Sequence, residues 1–97
     1  MNSVVIADDH SFFRAGLESI LATSGFNVVA SVGDGASALR AINEFAPNFA
    51  ILDIRMPELD GVETLSALRK EENQCPVILL AAEYVDDFLV DAIEAGA

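Results

Sequence analysis

The stretch ILDIRMPELDG, from Ile51 to Gly61, begins as a buried strand, reaches an acid and turns at once into a loop. Interior strands of a parallel sheet are apolar because helices cover both of their faces. A carboxylate at the end of such a strand, here Asp53, is costly unless it has a partner or a function there. Pro57 and Gly61 bracket a loop of fixed shape that redirects the chain. The stretch therefore predicts a buried strand that presents Asp53 at its carboxyl end.

The segments on both sides of this stretch alternate between strand and helix patterns. Apolar β-branched runs predict strands at SVVIA (3–7), FNVVASV (26–32), NFAILD (48–53) and PVILLAA (76–82). Helical periodicity predicts helices over 12–25, 35–47, 61–73 and 85–97. Their apolar stripes are Phe13, Leu17, Ile20 and Leu21; Ala38, Leu39, Ile42 and Phe45; Val62, Leu65 and Leu68; and Val85, Phe88, Leu89, Ala92 and Ile93. Strict alternation with short connections predicts an α/β fold, a parallel sheet covered by helices on both faces.

The composition limits the class of protein. The 97 residues suit one domain, and an apolar fraction of 53% indicates a globular chain. A net charge of −11 with only 5 Lys and Arg residues argues against nucleic-acid binding, which needs clustered cations. The acidic balance serves either solubility or a site for a hard divalent cation. Since no apolar run approaches the ~18 residues of a membrane span and no basic N-terminal region suggests a signal peptide, we expect a cytoplasmic protein.

Acids follow two of the predicted strands. Asp8 and Asp9 come directly after the first strand, and Asp53 ends the third. If these strands are neighbours, the three carboxylates meet at the carboxyl edge of the sheet, where open α/β sheets bind ligands. Three carboxylates at one place repel each other unless a cation lies among them, and oxygen ligands of this kind suit Mg²⁺. The sequence thus predicts a magnesium site at this edge.

Simpler interpretations remain for each acid taken alone. Asp8 and Asp9 could interact favourably with the dipole of the helix that follows them, and Asp53 could cap a loop. Asp60, before Gly61, is expected to cap the next helix. His10 is expected to be a surface or helix-start residue and not a ligand, because imidazole suits softer metals than Mg²⁺.

Four motifs carry a family resemblance: VVIADDHSFFRAGLESIL (4–21), LDIRMPELDGVETLSALR (52–69), PVILLAAE (76–83) and AIEAGA (92–97). The chain resembles, over its whole length, the receiver domain of bacterial two-component response regulators. Its DDH opening is most similar to the branch with a LuxR/NarL-type helix-turn-helix output. The resemblance implies a flavodoxin-like fold with strand order 2-1-3-4-5. It also implies a phosphoprotein of a phosphorelay whose parent regulates transcription.

The resemblance assigns roles to residues at the predicted edge. Asp53 would be the phosphoacceptor, taking a phosphoryl group from the phosphohistidine of a sensor histidine kinase. Asp8, Asp9, Asp53 and the backbone carbonyl of Arg55 would hold Mg²⁺, beside the loop that contains Pro57 and Gly61. Self-phosphorylation and dephosphorylation would be the only chemistry, so the chain is not expected to be an enzyme.

The chain departs from the family pattern in two ways. Ala81 stands where the family has a Thr or Ser whose hydroxyl bonds a phosphoryl oxygen. The Lys and the aromatic residue of the fifth strand would lie beyond Ala97. We therefore expect a truncated receiver over 1–97, with order 2-1-3-4, the fifth strand and helix missing, and no output domain. Arg55 and Glu83 flank the site in the family and could form a salt bridge, worth only about 0–1 kcal/mol when exposed.

These departures leave alternatives for function. A phosphorylation-impaired interaction or dimerisation module is the second candidate, since the fourth strand would be an apolar sheet edge open to pairing. Self-association through that edge or through the last helix is expected. The acidic residues of that helix either are solvated or contribute to docking: Asp86, Asp87, Asp91 and Glu94. A phosphohydrolase is disfavoured because Arg55 occupies the position where such enzymes need a second acid.

Overall fold

The computed structural model describes residues 2–81. In chain order these residues form β1 (Ser3–Ala7), α1 (Ser11–Thr23), β2 (Asn27–Val32), α2 (Gly35–Phe45), β3 (Phe49–Asp53), α3 (Gly61–Lys70) and β4 (Val77–Leu80). The fourth predicted helix, 85–97, and Glu83 lie outside the described residues. No helix among those described is long and apolar enough to cross a membrane.

The strands form one parallel sheet in the order β2-β1-β3-β4, which confirms the predicted α/β receiver topology. β1 and β3 lie side by side, with Ala7 opposite Leu52. On the other side of β3, Asp53 is opposite Leu80. β1 and β3 are buried along almost their whole length, as expected for interior strands. β4 is an edge of the described sheet, and Ile78 on it is 50% exposed.

The sheet face under α2 and α3 holds the main core. Ala38 and Ile42 of α2 and Leu65 and Leu68 of α3 are buried, as their periodicity predicted. A contiguous cluster contains Val5, Ala7, Ala38, Ala41, Ile42, Ala50, Leu52, Met56, Leu68 and Cys75. This packing fixes β3 and the start of the loop that follows Asp53.

The face under α1 is packed more thinly. Leu17 and Leu21 pack against Val4, Ile6 and Ile51, but α1 itself contains no buried residue. Phe13 and Ile20, which belong to the predicted apolar stripe of α1, are 54% and 65% exposed. Among residues 2–81, α1 is the only helix on this face, so only the part of its apolar stripe nearest the sheet is covered. Phe45, which belongs to the predicted stripe of α2, is also exposed at the end of that helix.

The helix ends follow local signals. Asp60 caps α3 through a capping box: its carboxylate accepts from the Glu63 N–H at 2.7 Å, and the Glu63 carboxylate accepts from the Asp60 N–H at 3.0 Å. This confirms the predicted cap. Asp34 caps α2 by accepting from the Ser37 N–H at 2.7 Å. α3 ends at Lys70, three residues before the predicted end, because Glu72 has a left-handed φ of 60°.

Candidate metal and phosphoacceptor site

The carboxyl edge of the sheet brings the predicted acids together. Ligand atoms of Asp8, Asp9, His10 and Asp53 all lie within 4.8 Å of one another. Asp8 and Asp53 are buried, at 4% and 7% exposure, whereas Asp9 and His10 face solvent. The cause is the adjacency of β1 and β3, because parallel neighbours end at the same edge.

Asp8 is held by contacts from three sides. Its N–H donates to the carbonyl of Val32 at 3.0 Å, which extends the β1–β2 ladder by one residue. Its carboxylate Oδ1 accepts from the His10 N–H at 2.8 Å. Its carbonyl oxygen accepts from Arg14 Nη1 at 2.5 Å. The first acid of the pair therefore has a well-defined position within the β1–α1 loop, residues 8–10.

Asp53 ends β3 with its carboxylate directed at the same group of acids. The next residue, Ile54, still donates its N–H to the Leu80 carbonyl at 2.9 Å, so the strand geometry persists past Asp53. The Arg55 N–H donates to Asp53 Oδ1 at 3.4 Å. The pKa of Asp53 is raised, first by burial and then by the negative charge of Asp8, while the Arg55 N–H opposes the change.

His10 lies against the acids. It is the N-cap residue of α1 and its side chain is 70% exposed, which matches the expected surface and helix-start position. Its Nδ1 is 3.1 Å from a carboxylate oxygen of Asp8, 3.1 Å from one of Asp9, and 3.9 Å from one of Asp53. Hydrogen bonding to Asp8, and then the charge of Asp9, raise the pKa of His10. Sequence reasoning missed this contact, although the adjacency of the three letters DDH is a signal that could have found it.

Two glycines allow close approach of backbone segments around the β3–α3 loop, residues 54–60. The Gly61 N–H donates to the Ile54 carbonyl at 2.8 Å. A Cβ on Gly61 would overlap the Asp53 carbonyl oxygen and lie 3.0 Å from the Ile54 Cα. A Cβ on Gly35, at the start of α2, would overlap the Leu59 carbonyl oxygen. The loop is therefore closed onto the backbone of the acid that precedes it and packed against the start of α2.

The donor set fits a hard divalent cation. Three carboxylates supply oxygen atoms of the type that Mg²⁺ binds, and two of them are buried without a Lys or Arg ion pair in the described part of the chain. Burial, and then the charge of Asp8, raise the pKa of Asp53, so a cation at this place would stabilise its ionised form. The cluster is consistent with a receiver magnesium site. The Arg55 peptide lies next to Asp53, and the role of its carbonyl as a ligand stays a prediction.

Ala81 directly follows β4 and is exposed. Its neighbour Leu80 is the register partner of Asp53, so Ala81 comes one residue past the level of the central acid. A methyl side chain offers no hydrogen-bond donor at this place. Glu83, the predicted ion-pair partner of Arg55, lies outside the described residues.

Comparisons with known proteins agree with this geometry. A family model for the response regulator receiver domain matches residues 4–97. The transcriptional regulatory protein PrrA of Mycobacterium tuberculosis is 47% identical over 94 residues, covering 97% of this chain and 40% of PrrA. The chain thus spans about two fifths of the length of that curated relative.

Solved structures give the same result. The signal receiver domain of the response regulator NarL from Mycobacterium tuberculosis superposes with a TM-score of 0.93 at 40% identity, covering 98% of this chain and 77% of that one. A chain of the CheX-CheY-BeF3-Mg+2 complex from Borrelia burgdorferi has a TM-score of 0.86 at 30% identity, covering 98% and 72%. Together with the fold and the acidic cluster, these matches establish that the chain belongs to the response regulator receiver domain family.

Proposed function

We propose that the chain is a magnesium-dependent phosphoacceptor in a two-component signalling pathway, with Asp53 receiving a phosphoryl group from a sensor histidine kinase. The observation that supports this most is the meeting of Asp8, Asp9 and Asp53 at one edge of the sheet, with ligand atoms within 4.8 Å. The Borrelia burgdorferi neighbour was solved with beryllofluoride and Mg²⁺, which supports the same ligand chemistry here.

The proposed reaction is an in-line phosphoryl transfer. A carboxylate oxygen of Asp53 forms a bond to phosphorus while the bond from phosphorus to the histidine nitrogen of the kinase breaks, leaving an acyl phosphate on Asp53. A carboxylate is a weak nucleophile, so the rate depends on positioning and charge neutralisation. Mg²⁺, held by Asp8, Asp9, Asp53 and the Arg55 carbonyl, would neutralise the phosphoryl oxygens. The chemistry of the chain is then confined to its own phosphorylation and dephosphorylation.

The test is covalent phosphorylation by a small phosphodonor such as acetyl phosphate with Mg²⁺, measured by intact-protein mass spectrometry. We expect one added phosphoryl group on the wild-type chain and none on Asp53→Asn. Asp60→Asn is a matched control, because it neutralises another carboxylate of the same loop. The Asp60 carboxylate caps α3 and does not face the acids. Equal labelling of wild type and Asp53→Asn would contradict the proposal.

Ala81 supports a second candidate, a receiver with impaired phosphorylation that serves interaction or dimerisation. Removal of one oxyanion-stabilising donor costs roughly 10²–10³ in rate in other enzymes, so the missing hydroxyl should slow transfer markedly. Ala81→Thr should then raise the phosphorylation rate about tenfold or more. Ala81→Val, which has the shape of Thr without the hydroxyl, is its control. If Thr and Val have the same effect, the hydroxyl is not what limits the rate.

The partners follow from the same proposal. A sensor histidine kinase would donate the phosphoryl group, and the names of relatives such as PrrA support a parent protein that regulates transcription. The cytoplasm is the compartment expected for such a parent. Self-association through the β4 edge or the last predicted helix would serve the second candidate. Exposed Ile78 on β4 supports the first of these routes. Sedimentation velocity of wild type and Ile78→Lys tests it: loss of a concentration-dependent dimer in the variant is the expected result.

A further inference from the structure

Arg14 connects α1 to the acid pair. It lies in the first turn of α1, where its N–H donates to the His10 carbonyl at 2.9 Å. Its side chain is partly buried and runs back toward the sheet, where Nη1 donates to the Asp8 carbonyl oxygen at 2.5 Å. Within the described part of the chain, the guanidinium therefore contacts the backbone between the two acids and not a carboxylate.

The Asp8 carbonyl controls the orientation of Asp9. The Asp8 carbonyl and the Asp9 N–H belong to one planar peptide unit, so a bond to that oxygen restricts the rotation of the whole unit. Asp8 has further support from Val32 and His10, whereas Asp9 is exposed. The hydrogen bond from Arg14 is thus the contact that restrains the peptide between Asp8 and Asp9, the acid with less support.

Gly33 provides the space for this contact. It follows β2, and a Cβ at this position would lie 3.1 Å from Arg14 Nη1 and 4.0 Å from the Asp8 carbonyl oxygen. A Cβ contact of 3.1 Å is tight enough to displace the guanidinium by a few tenths of an ångström. Three segments therefore meet at one hydrogen bond: the end of β1, the first turn of α1 and the end of β2.

We infer that Arg14 is a positioning residue for the metal site: it holds the Asp8–Asp9 peptide so that both carboxylates face Asp53 before a cation binds. The inference rests on the proposed magnesium-dependent function and adds a residue to it. Arg14 acts through the backbone, so the effect of its hydrogen bond on Mg²⁺ binding is opposite in sign to the effect of its charge. By Coulomb's law, a cation beside the acids weakens Mg²⁺ binding, whereas correct orientation of the ligands strengthens it.

This difference in sign provides the test. We would measure the Mg²⁺ dissociation constant of wild type, Arg14→Gln, Arg14→Lys and Arg40→Gln by isothermal titration calorimetry. Arg40→Gln is the matched control, because it removes the same charge from an exposed residue of α2 that bonds Ser37. Loss of an outer-shell partner of a metal site typically costs about 10- to 100-fold in affinity, so we expect at least a tenfold loss for Arg14→Gln. The Mg²⁺ affinity of Arg14→Lys should lie between those of wild type and Arg14→Gln. The affinity of Arg40→Gln should be unchanged or slightly tighter.

A readout without metal separates orientation from general stability. In ¹⁵N spectra recorded without Mg²⁺, Arg14→Gln should shift the Asp9 amide, while the amides of β3 stay in place. Gly33→Ala should move the same amide in the same direction and weaken Mg²⁺ binding by a smaller factor, which tests the idea even if Arg14→Gln folds poorly. If Arg14→Gln binds Mg²⁺ as tightly as wild type or more tightly, the inference about Arg14 is overturned and the proposed function is not. Failure of the wild-type chain to bind Mg²⁺ would overturn both it and the proposed function.

Discussion

The two loops that carry the acids are held in different ways. The β3–α3 loop is fixed mainly by backbone contacts, with Gly61 bonded to Ile54 and Gly35 pressed against Leu59. The β1–α1 loop is held by side chains, since Arg14 bonds the Asp8 carbonyl and His10 contacts the acids. This contrast fits the proposed roles. The proposed phosphoacceptor, Asp53, is positioned by the backbone that follows it, whereas the Asp8–Asp9 peptide is oriented by the Arg14 side chain.

The largest expected effect comes from filling the space beside the backbone-fixed loop. Gly35→Ala would place a methyl group against the Leu59 carbonyl, so the loop or the start of α2 must move. We expect a destabilisation of about 3 kcal/mol, at the upper end of overpacking effects. Urea unfolding monitored by circular dichroism measures it.

A matched substitution in α1 controls for the residue change itself. Gly16→Ala places the same methyl group inside a helix, where no atom of residues 2–81 beyond the adjacent helix backbone lies within 4 Å of it. It should stabilise the chain by roughly 0.5–1 kcal/mol, because Ala has the higher helix propensity. If Gly35→Ala and Gly16→Ala have similar effects, the β3–α3 loop is not held by close backbone approach.

A second prediction compares how the two loops enter their helices. α3 begins with a capping box between Asp60 and Glu63, whereas the α1 N-cap, His10, makes no side-chain cap hydrogen bond. Asp60→Ala should therefore cost about 1 kcal/mol, measured by thermal unfolding at pH 7. Ser11→Ala at the start of α1 should cost less, and an equal cost would show that the caps do not distinguish the loops.

A third prediction concerns the charge that the loops bring together. Asp53→Asn should stabilise the metal-free chain by about 1 kcal/mol, because it removes a buried charge beside two others. The pKa of Asp53 is raised in the folded state, so ionisation costs stability as pH rises. The stability that Asp53→Asn adds should be absent below pH 3.8, the ordinary pKa of the group, and complete above the raised pKa. Melting temperatures measured from acid to neutral pH without Mg²⁺ check this, and a loss of stability at pH 7 would contradict it.

The sequence predicted the parts of this molecule that depend on local pattern. The alternation of strands and helices and the Asp60 cap follow from periodicity and capping chemistry, whereas the strand order, on which the meeting of Asp8 with Asp53 depends, was implied by the family resemblance. The contacts that hold the loops are non-local and could not be predicted in this way. Gly35 meets Leu59 only after α2 packs beside α3, and nothing in either segment alone encodes that distance.

The exposed side chains of α1 illustrate the same limit. Phe13 and Ile20 belong to a correct helical stripe, but periodicity defines only the side of the helix and not how much of that side is covered. The coverage depends on which other elements share the sheet face. For the same reason, the sequence identified His10 as a helix-start residue without identifying its contacts with Asp8 and Asp9.

The smallest expected effect tests the side-chain-held loop. The contact with Asp8 and the charge of Asp9 raise the pKa of His10 above 6.5, so protonated His10 favours the folded chain. This contribution should be complete below pH 6.5, the ordinary value, and be lost as pH rises through the raised pKa. His10→Ala should therefore lower the melting temperature at pH 5.5 and leave it unchanged at pH 9, in metal-free buffer. Because His10 is exposed, the change should be small and should shrink further in high salt, since mobile ions screen exposed charges. A difference that persists unchanged at pH 9 would assign His10 a packing role, and the β1–α1 loop would then depend on Arg14 more than on charge.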